Sequence, residues 1–278
     1  MFGIPTSELV PLIGLLLVGG VATGLMAGLL GIGGGAIIVP VLYYLFGFLD
    51  VPLDIRMHLC VGTSLAIIIP TSIRSFRSHY SRGAVDTATL RRWAAPLILG
   101  VLSGALVAAF ASSIVLEIVF GLFGVSVGAQ MLFVGSAALK LREEFPGRAL
   151  MSFYGWFIGL LASLVGIGGG ALVTLVFVMH GRRVLQGIAT GAGVGVLISI
   201  PGALGFVAAG WPQMDMLPPF SLGYVSFIGA LLIAPISMMT APLGVRIAHA
   251  FTPRQLEIVL GLFLITMGGR FLYAALLG

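Results

Sequence analysis

A glycine-rich phrase occurs twice in this chain, each time inside a long apolar stretch. It reads Gly-Ile-Gly-Gly-Gly-Ala at 31–36 and again at 166–171, 135 positions later. A membrane helix seldom tolerates three adjacent glycines, because glycine supplies no side chain for packing and leaves the backbone loose. Irregular backbone at membrane depth persists only where protein or a polar cavity satisfies its N–H and C=O groups. We therefore expect two helix breaks in matching halves, the usual position of a transport site.

Composition places the chain in a membrane. It has 278 residues, of which 59% are hydrophobic and 8% charged, and several runs exceed eighteen residues without a charge. We expect an all-α polytopic membrane protein with the lipid bilayer as its surroundings. The net charge of +5 reflects basic residues in short loops, not a nucleic-acid module. The single cysteine, Cys60, excludes a disulfide framework and a cysteine-based metal cluster, and we expect no cofactor. No basic residue precedes the first apolar run, so we do not expect a cleaved signal peptide.

The chain is internally duplicated. Leu116–Phe123 matches Leu256–Phe263, 140 positions later, and Pro70 matches Pro201, 131 positions later. Matching residues at the beginning, middle and end of the two halves thus keep nearly the same spacing. This pattern predicts a first repeat at 1–140 and a second at 141–278. The ten expected apolar segments are 9–29, 36–48, 57–75, 93–111, 114–139, 151–165, 171–180, 187–210, 221–245 and 254–277.

Basic loops orient the repeats. Twelve of the fourteen Lys and Arg residues fall in four segments at 74–92, 140–150, 181–186 and 246–254. The positive-inside rule makes these segments cytoplasmic and places both termini outside, in a plasma or inner membrane. Each half must then cross the membrane an odd number of times, so the two repeats are inverted relative to each other.

Two models satisfy that parity. The segments that flank each glycine phrase can both span, which gives ten crossings, or each pair can form a re-entrant hairpin beside three full spans. The runs at 36–48 and 171–180 have 13 and 10 residues. At 1.5 Å per residue they reach only about 15–20 Å, less than the ~30 Å hydrocarbon core. Length therefore favours the hairpins.

The glycine breaks offer a site for a small anion. A helix that restarts after the glycines exposes backbone N–H groups without intrahelical partners, and its dipole adds about half a positive charge there. Without side chains in the way, an anion can approach these amides closely. Close packing of small residues between helices is the alternative. The predicted substrate-binding residues are Gly33, Gly34, Gly35 and Ala36 with Gly168, Gly169, Gly170 and Ala171.

Hydroxyls and prolines near the breaks supply further candidates. Thr63, Ser64 and Thr190 can line the substrate site, although small hydroxyls in membrane helices also serve packing. Pro70 and Pro201 lie inside apolar segments, where a proline frees a carbonyl and lets a helix bend. We expect these two prolines to act as hinges.

Two acids within apolar runs, Glu117 and Glu257, are candidates for proton coupling. Both fall in the first turns of the last segment of their repeat, where a carboxylate favours the helix dipole, so a structural role is preferred. Thr252-Pro253-Arg254-Gln255 has the form of a capping box with proline at N1. Other polar and aromatic residues lie near segment ends, where we expect them at the membrane interface: His58, His79, His180, Arg270, Trp93, Trp156 and Trp211.

Three stretches resemble the sulfite exporter TauE/SafE family, also called TSUP. They are the sequence at 28–42, which contains the first glycine phrase followed by Val39-Pro40, the second phrase at 164–172, and Gly62-Thr63-Ser64-Leu65-Ala66. The resemblance covers essentially the whole chain through length, duplication and motif order. The second half departs from it by reading Gly193-Val194-Gly195 where Gly-Thr-Ser is expected.

The resemblance implies a secondary transporter of small sulfur-containing or organic anions, such as sulfite, sulfonate, thiosulfate or sulfate. We expect alternating access around a midplane site between the glycine breaks, with a small anionic substrate and, as one option, a co-transported proton. A passive anion channel, a non-transporting scaffold and an intramembrane enzyme are the alternatives. The enzyme is disfavoured because no His-Glu-x-x-His motif is present. The sequence indicates neither the coupling ion nor the oligomeric state.

Overall fold

A computed structural model describes residues 14, 17–25, 35–135, 145–248 and 252–277 of the protein. We number its helices α1 to α10 in chain order, and α1 comprises the helical residues 17–25. The other elements are α2 (Gly35–Phe48), α3 (Leu53–Ser81), α4 (Thr87–Phe110), α5 (Ser113–Ala129, continued by a π-helical turn at Gln130–Val134), α6 (Arg148–Val165), α7 (Gly170–Met179), α8 (Val184–Gly210, continued by a 3₁₀ turn at Trp211–Met216), β1 (Ser221–Leu222), β2 (Val225–Ser226), α9 (Phe227–Ala248) and α10 (Pro253–Leu277).

Helix length and hydropathy confirm a polytopic membrane protein. Six helices among the described residues are long and apolar enough to cross a membrane, namely α3, α4, α5, α6, α8 and α10. Helices α2 and α7 have only 14 and 10 residues. At 1.5 Å per residue they reach about 21 Å and about 15 Å, short of the ~30 Å core. The two short helices occur where the sequence predicts them, and their re-entrant course stays a prediction.

The first long basic segment is mostly helical, which the sequence did not predict. Helix α3 extends to Ser81 and α4 begins at Thr87, so only 82–86 connect them within the expected loop at 74–92. Arginine is a good helix former, so the helix continues beyond its apolar part. Asp86 then caps α4, because its carboxylate accepts hydrogen bonds from the backbone N–H and the hydroxyl of Thr89 at 3.0 and 2.9 Å.

The ninth apolar segment, expected at 221–245, begins instead with a small antiparallel ribbon. Ser221 pairs with Ser226 and Leu222 with Val225, and α9 starts at Phe227. Two prolines directly before this stretch, at 218 and 219, lack the N–H that a helix needs. Gly223 has a φ of 52° and so allows the tight turn between the strands.

Helices that the sequence matches predict to be equivalent pack against each other. In α5 and α10, a Cβ placed at Gly121 would lie 2.9 Å from the Gly268 carbonyl oxygen, and one at Gly128 would lie 2.7 Å from the Gly261 carbonyl oxygen. As residue numbers increase along α5, the numbers of the contacting residues in α10 decrease, so the two helices run antiparallel. Helices α3 and α8 also run antiparallel, since the contacts of α3 residues 62, 65, 72 and 76 fall on α8 residues 206, 202, 195 and 193.

Glycines in α6 and α1 lie where side chains of another helix pack closely. In α6, Gly155 packs on Trp93 and Pro96 of α4, and in α1 Gly20 packs on Ile236 of α9. Trp93 is fully buried with its ring 6.3 Å from that of Phe177, so the prediction that it lies at the membrane interface is wrong. Glycine at 155 leaves the space that the indole ring fills. By contrast, Trp211 is 59% exposed after the end of α8.

Candidate functional site

The second glycine phrase breaks the helix as predicted. Helix α6 ends at Val165, and Gly166 takes a left-handed conformation with a φ of 75°. The N–H of Ile167 donates to the Ala162 carbonyl at 2.9 Å, which closes the end of α6. Gly169 is also left-handed, with a φ of 69°, and α7 begins at Gly170.

The first phrase lies mainly outside the described residues. Gly33 and Gly34 belong to that part, so their predicted role in substrate binding stays a prediction. Helix α2 begins at Gly35, with Ala36 as its second residue, and both are buried. Helices α2 and α7 thus each include the last two residues of their glycine phrase.

The two phrases meet in space. A Cβ placed at Gly35 would lie 2.6 Å from the Gly166 carbonyl oxygen and 2.8 Å from the Ile167 Cα. Ser64 of α3 donates its hydroxyl to the same Gly166 carbonyl at 2.7 Å. One buried point thus brings together the start of α2, the end of α6 and the middle of α3. The hydrogen bond from Ser64 links the second break to α3.

Helix α8 encloses the other side of the second break. A Cβ at Gly191 would lie 2.9 Å from the Gly170 Cα, and one at Gly169 would lie 2.6 Å from the Ile198 Cδ1. Gly168 and Gly170 are buried, whereas Ala171 is half-buried. Glycine is needed at 169 for its left-handed backbone and at 191 for the close approach of α7.

Thr63 and Thr190 each accept a hydrogen bond from the residue directly before another helix. The Thr63 hydroxyl accepts a hydrogen bond from the Ser226 N–H at 2.9 Å, directly before α9. The Thr190 hydroxyl accepts one from the Asp86 N–H at 3.0 Å, directly before α4. Both threonines are fully buried. Thr63 and Thr190 are 127 positions apart and have the same role, as equivalent residues of two repeats would have, and their predicted contact with substrate stays a prediction.

Neither proline breaks its helix. Pro70 lies inside α3 and Pro201 inside α8. The Thr71 hydroxyl donates to the Ile67 and Ile68 carbonyls at 3.2 and 2.9 Å, close to the point where the proline removes a donor. With Thr63 aligned on Thr190, Pro201 lies one helical turn beyond the position equivalent to Pro70. The hinge role of the two prolines stays a prediction.

Glu117 is buried near the start of α5, where the sequence places it. It is 5% exposed and accepts a hydrogen bond from the Tyr43 hydroxyl at 3.0 Å. The guanidinium carbon of Arg56 lies 5.4 Å from the centre of the Tyr43 ring, and Arg56 donates to the Val51 carbonyl at 3.1 and 2.7 Å. Glu117 is therefore held by a phenol that itself packs against a cation.

Glu257 lies in the first turns of α10, also as predicted. It pairs with Arg254 at 3.3 Å, and Arg254 also donates to the Met131 carbonyl at 2.7 Å. The capping box is confirmed, because the Thr252 N–H donates to Gln255 Oε1 at 2.9 Å and the Gln255 N–H donates to the Thr252 hydroxyl at 3.3 Å.

Two histidines are buried, against the prediction that they reach the interface. His58 is 3% exposed, and its Nε2 lies 3.0 Å from the Ala108 carbonyl oxygen. His180 is 4% exposed, and its Nδ1 lies 2.8 Å from the Val176 carbonyl oxygen. Carbonyls near the ends of α4 and α7 supply the polar contact that water would give at an interface. His58 also stacks on Tyr224, with ring centres 4.8 Å apart.

Several known proteins are similar to this chain in sequence. The family model described as sulfite exporter TauE/SafE matches residues 16–271. A probable membrane transporter protein of Haemophilus influenzae is 32% identical over 91% of this chain and 94% of its own length. A probable membrane transporter protein of Methanocaldococcus jannaschii is 28% identical over 94% and 96%, and YunE of Bacillus subtilis, with the same description, is 23% identical over 93% and 97%. No solved structure matches the chain.

The family match spans nearly the whole chain, and the similar proteins carry a transporter's description, not an enzyme's. Together with the long apolar helices, these findings identify a multi-pass membrane transporter of the TauE/SafE sulfite exporter family.

Proposed function

We propose that this transporter is a secondary carrier for a small sulfur-containing or organic oxyanion, such as sulfite, a sulfonate, thiosulfate or sulfate, bound between the two glycine phrases. One observation carries the proposal: the end of the first phrase at Gly35 contacts the start of the second at Gly166 and Ile167. Parts of both phrases, far apart in sequence, thus share one buried location, which suits a single site built from both halves.

Backbone amides hold the anion in this proposal. Helix α7 starts at Gly170 directly after the left-handed Gly169, so its first N–H groups have no intrahelical partner. The helix dipole adds about half a positive charge at this end, which lets an anion bind without a lysine or arginine beside it. In this proposal the first phrase breaks its helix in the same way, so that α2 offers the same kind of terminus at Gly35.

Alternating access follows from a two-fold relation between inverted repeats at 1–140 and 141–278. Support comes from the antiparallel packing of equivalent helices, α3 with α8 and α5 with α10. The shared roles of Thr63 and Thr190 point the same way. The short helices α2 and α7 would each form the second arm of a re-entrant hairpin, and the repeats would rock about the bound anion.

The proton, if one is coupled, has two routes. Sulfite and bisulfite interconvert near neutral pH, so the substrate can carry the proton itself. The alternative routes it through Glu117 or Glu257. The pairing of Glu257 with Arg254 and of Glu117 with Tyr43 gives each acid a structural role, which favours the substrate route.

We also propose an orientation in the plasma or inner membrane, based on the positive-inside rule. The basic segments at 74–92, 140–150, 181–186 and 246–254 would be cytoplasmic and both termini outside. Cys60 is fully buried, so single cysteines introduced at 83 and 215 can be labelled in intact cells. A membrane-impermeant thiol reagent should label the cysteine at 215 and leave the one at 83 unlabelled, whereas the reverse pattern would contradict this orientation.

Uptake into proteoliposomes tests the function. We expect saturable uptake of labelled sulfite, with sulfate, thiosulfate and a sulfonate as competitors. Gly169→Ala should abolish it, because the left-handed backbone resists a side chain and the new Cβ would meet Ile198. Uptake that rises linearly with concentration would indicate a passive channel. Absence of uptake and competition under any pH gradient would favour a scaffold.

A further inference from the structure

The small ribbon before α9 forms a flap over one end of the groove between α3 and α8, the end where α3 begins and α8 stops. We define the flap as residues 220–227, with β1 and β2 as its two arms and Gly223 and Tyr224 at its tip. Its base is closed by a hydrogen bond from the Phe227 N–H to the Phe220 carbonyl at 3.0 Å. A short hairpin that is joined to the chain only at its base can move as one unit.

The tip of the flap is inserted between the two helices. The Tyr224 N–H donates to the Phe206 carbonyl of α8 at 3.1 Å. A Cβ placed at Gly62 of α3 would overlap the Tyr224 carbonyl oxygen, and one at Gly210 of α8 would lie 2.8 Å from the Tyr224 Cγ. Glycines on both helices therefore leave the space that the tip fills. Because α3 belongs to the first half and α8 to the second, the tip contacts both halves.

The flap lies beside the second glycine break. A Cβ at Gly166 would lie 3.1 Å from the Val61 Cα, and Ser64 donates to the Gly166 carbonyl at 2.7 Å. Gly62, which contacts the tip of the flap, is located between these two residues of α3. Residues 61–64 extend over only about 5 Å of the helix. An anion that moves between the break and this end of the groove would therefore pass the flap.

The first half makes the equivalent connection without a flap. Thr63 accepts a hydrogen bond from the Ser226 N–H at the base of the flap, and Thr190 accepts one from the Asp86 N–H. The connection that contains Asp86 consists only of residues 82–86, between α3 and α4. The threonine contact thus does not need a flap, so the flap has a role other than making that contact.

The position of the flap in this structure is strained. Phe220 at its base has a φ of 60°, in the left-handed region that a bulky side chain rarely adopts. His58 stacks on Tyr224, and the buried Nδ1 of His58 has no hydrogen-bond partner among the described residues, nor has the buried Oγ of Ser221 in the flap itself. Withdrawal of the flap would relax Phe220 and admit water to both atoms. These gains offset part of the contacts that are lost, so the two positions can be close in free energy.

We propose that the flap is a gate of the transporter, with Tyr224 as the plug of the α3–α8 groove and Phe220 and Phe227 as the hinge. In the closed position it separates the second break from one side of the membrane, and it withdraws to let the anion enter or leave. This inference rests on the proposed function and deepens it, because it assigns the element that opens the site to that side. Since the tip contacts both halves, a rocking of the repeats loosens it.

Thiol reactivity tests whether the flap opens, and the test needs no anion. Thr63→Cys places a thiol at the base of the flap, where the threonine hydroxyl contacts the Ser226 N–H. Cys60 on the same helix is fully buried and serves as the internal control. In purified protein in detergent, a maleimide should react with the cysteine at 63 at least about tenfold faster than with Cys60. Equal rates for the two thiols overturn the gate.

Two variants of the flap should shift this rate in opposite directions. Tyr224→Ala removes the plug and should raise the rate about tenfold, whereas Tyr154→Ala, which removes a tyrosine that packs on the buried His180, should leave it unchanged. Phe220→Asn suits the left-handed backbone without the looseness of glycine, so it should lower the rate about threefold or more. If Tyr224→Ala fails to fold, Phe220→Asn decides alone. An unchanged rate in the flap variants means that the maleimide uses another route, which also overturns the proposal.

Uptake of labelled sulfite separates the gate from the proposed function. With threonine retained at 63, Phe220→Asn should slow uptake by about the same factor as the thiol reaction, because opening of the gate precedes transport. If uptake stays unchanged while the thiol reaction slows, the flap moves without acting as a gate and the proposal is wrong. If the unchanged protein takes up neither sulfite nor its competitors while the thiol results hold, the flap opens as proposed and the proposed function fails.

Discussion

The two halves of the molecule place an acid at the same point of their last helix and surround it differently. Glu117 is buried and accepts a hydrogen bond from Tyr43, whereas Glu257 pairs with Arg254 at the start of α10. Matching sequence around both acids therefore does not give them the same electrostatic surroundings. Tyr43 belongs to α2, whereas Arg254 belongs to α10 itself. The element that supplies the partner therefore determines the surroundings of each acid.

The threonines of the central helices show the opposite case. Thr63 and Thr190 each accept a hydrogen bond from a backbone N–H directly before another helix. The hydrogen bond from a backbone N–H to a buried threonine is thus present in both halves, whereas the surroundings of the two acids differ. The two halves thus share the threonine contacts of α3 and α8, and they differ in the contacts of the acids at the starts of α5 and α10.

The largest expected effect comes from Gly35→Ala, where the halves touch. The new Cβ would lie 2.6 Å from the Gly166 carbonyl oxygen, a backbone atom that cannot move by a rotamer change. We expect uptake to fall on the order of 100-fold, because the two breaks are forced apart, and stability to fall by about 1–3 kcal/mol. Gly269→Ala is the control, since nothing lies within 4 Å of its Cβ position. Equal uptake in both variants would refute a shared site.

The equivalence of the threonines predicts similar losses in both halves. Thr63→Val and Thr190→Val each leave a backbone N–H without its acceptor, which should cost about 1–3 kcal/mol. The double variant should show the sum of the two losses, because the sites share no partner. Thermal unfolding in detergent measures this, with Thr266→Val in α10 as the control. A large loss in one half only would break the equivalence.

The buried environment of Glu117 predicts a strong contrast between adjacent tyrosines. Tyr43→Phe removes the donor to a buried carboxylate and should cost about 1–3 kcal/mol. Tyr44→Phe keeps the ring that packs against Arg270 and should cost less than about 0.5 kcal/mol. Unfolding midpoints of the two variants decide the matter. If they coincide, the bond between Tyr43 and Glu117 contributes nothing.

The smallest effect should come from the helix caps, which also differ between the halves. Thr252→Ala removes the capping box of α10 and should cost about 1 kcal/mol. The residue before α5, Ser112, makes no side-chain capping bond, so Ser112→Ala should leave the unfolding midpoint unchanged. A similar loss in both variants would mean that the caps do not distinguish the halves.

Features encoded locally were predictable from the sequence. The helix break at Gly166–Gly169, the capping box at Thr252 and the short turn between α4 and α5 all depend on residues within one or two turns of each other. Glycine backbone freedom and capping chemistry need no knowledge of neighbours. Hydropathy also predicted the apolar segments, although not their ends.

Features that depend on partners from distant parts of the chain were not predictable. Thr63 bonds to a residue 163 positions away, and Trp93 is buried because a glycine of another helix leaves space for its ring. Hydropathy does not distinguish a helix face that meets lipid from one that meets another helix, since both are apolar. The burial of His58 was missed for the same reason.

The glycine contact between α5 and α10 has a consequence for motion. Gly121 and Gly268 meet through backbone atoms, and so do Gly128 and Gly261. The four glycines have no side-chain rotamer to lose, so the close approach of the backbones costs little side-chain entropy at these positions. Side chains such as Leu272 and Ile265 pack beside the same glycines. Backbone atoms in contact cannot yield by a rotamer change, so we expect α5 and α10 to move together as one rigid pair in any rocking of the halves.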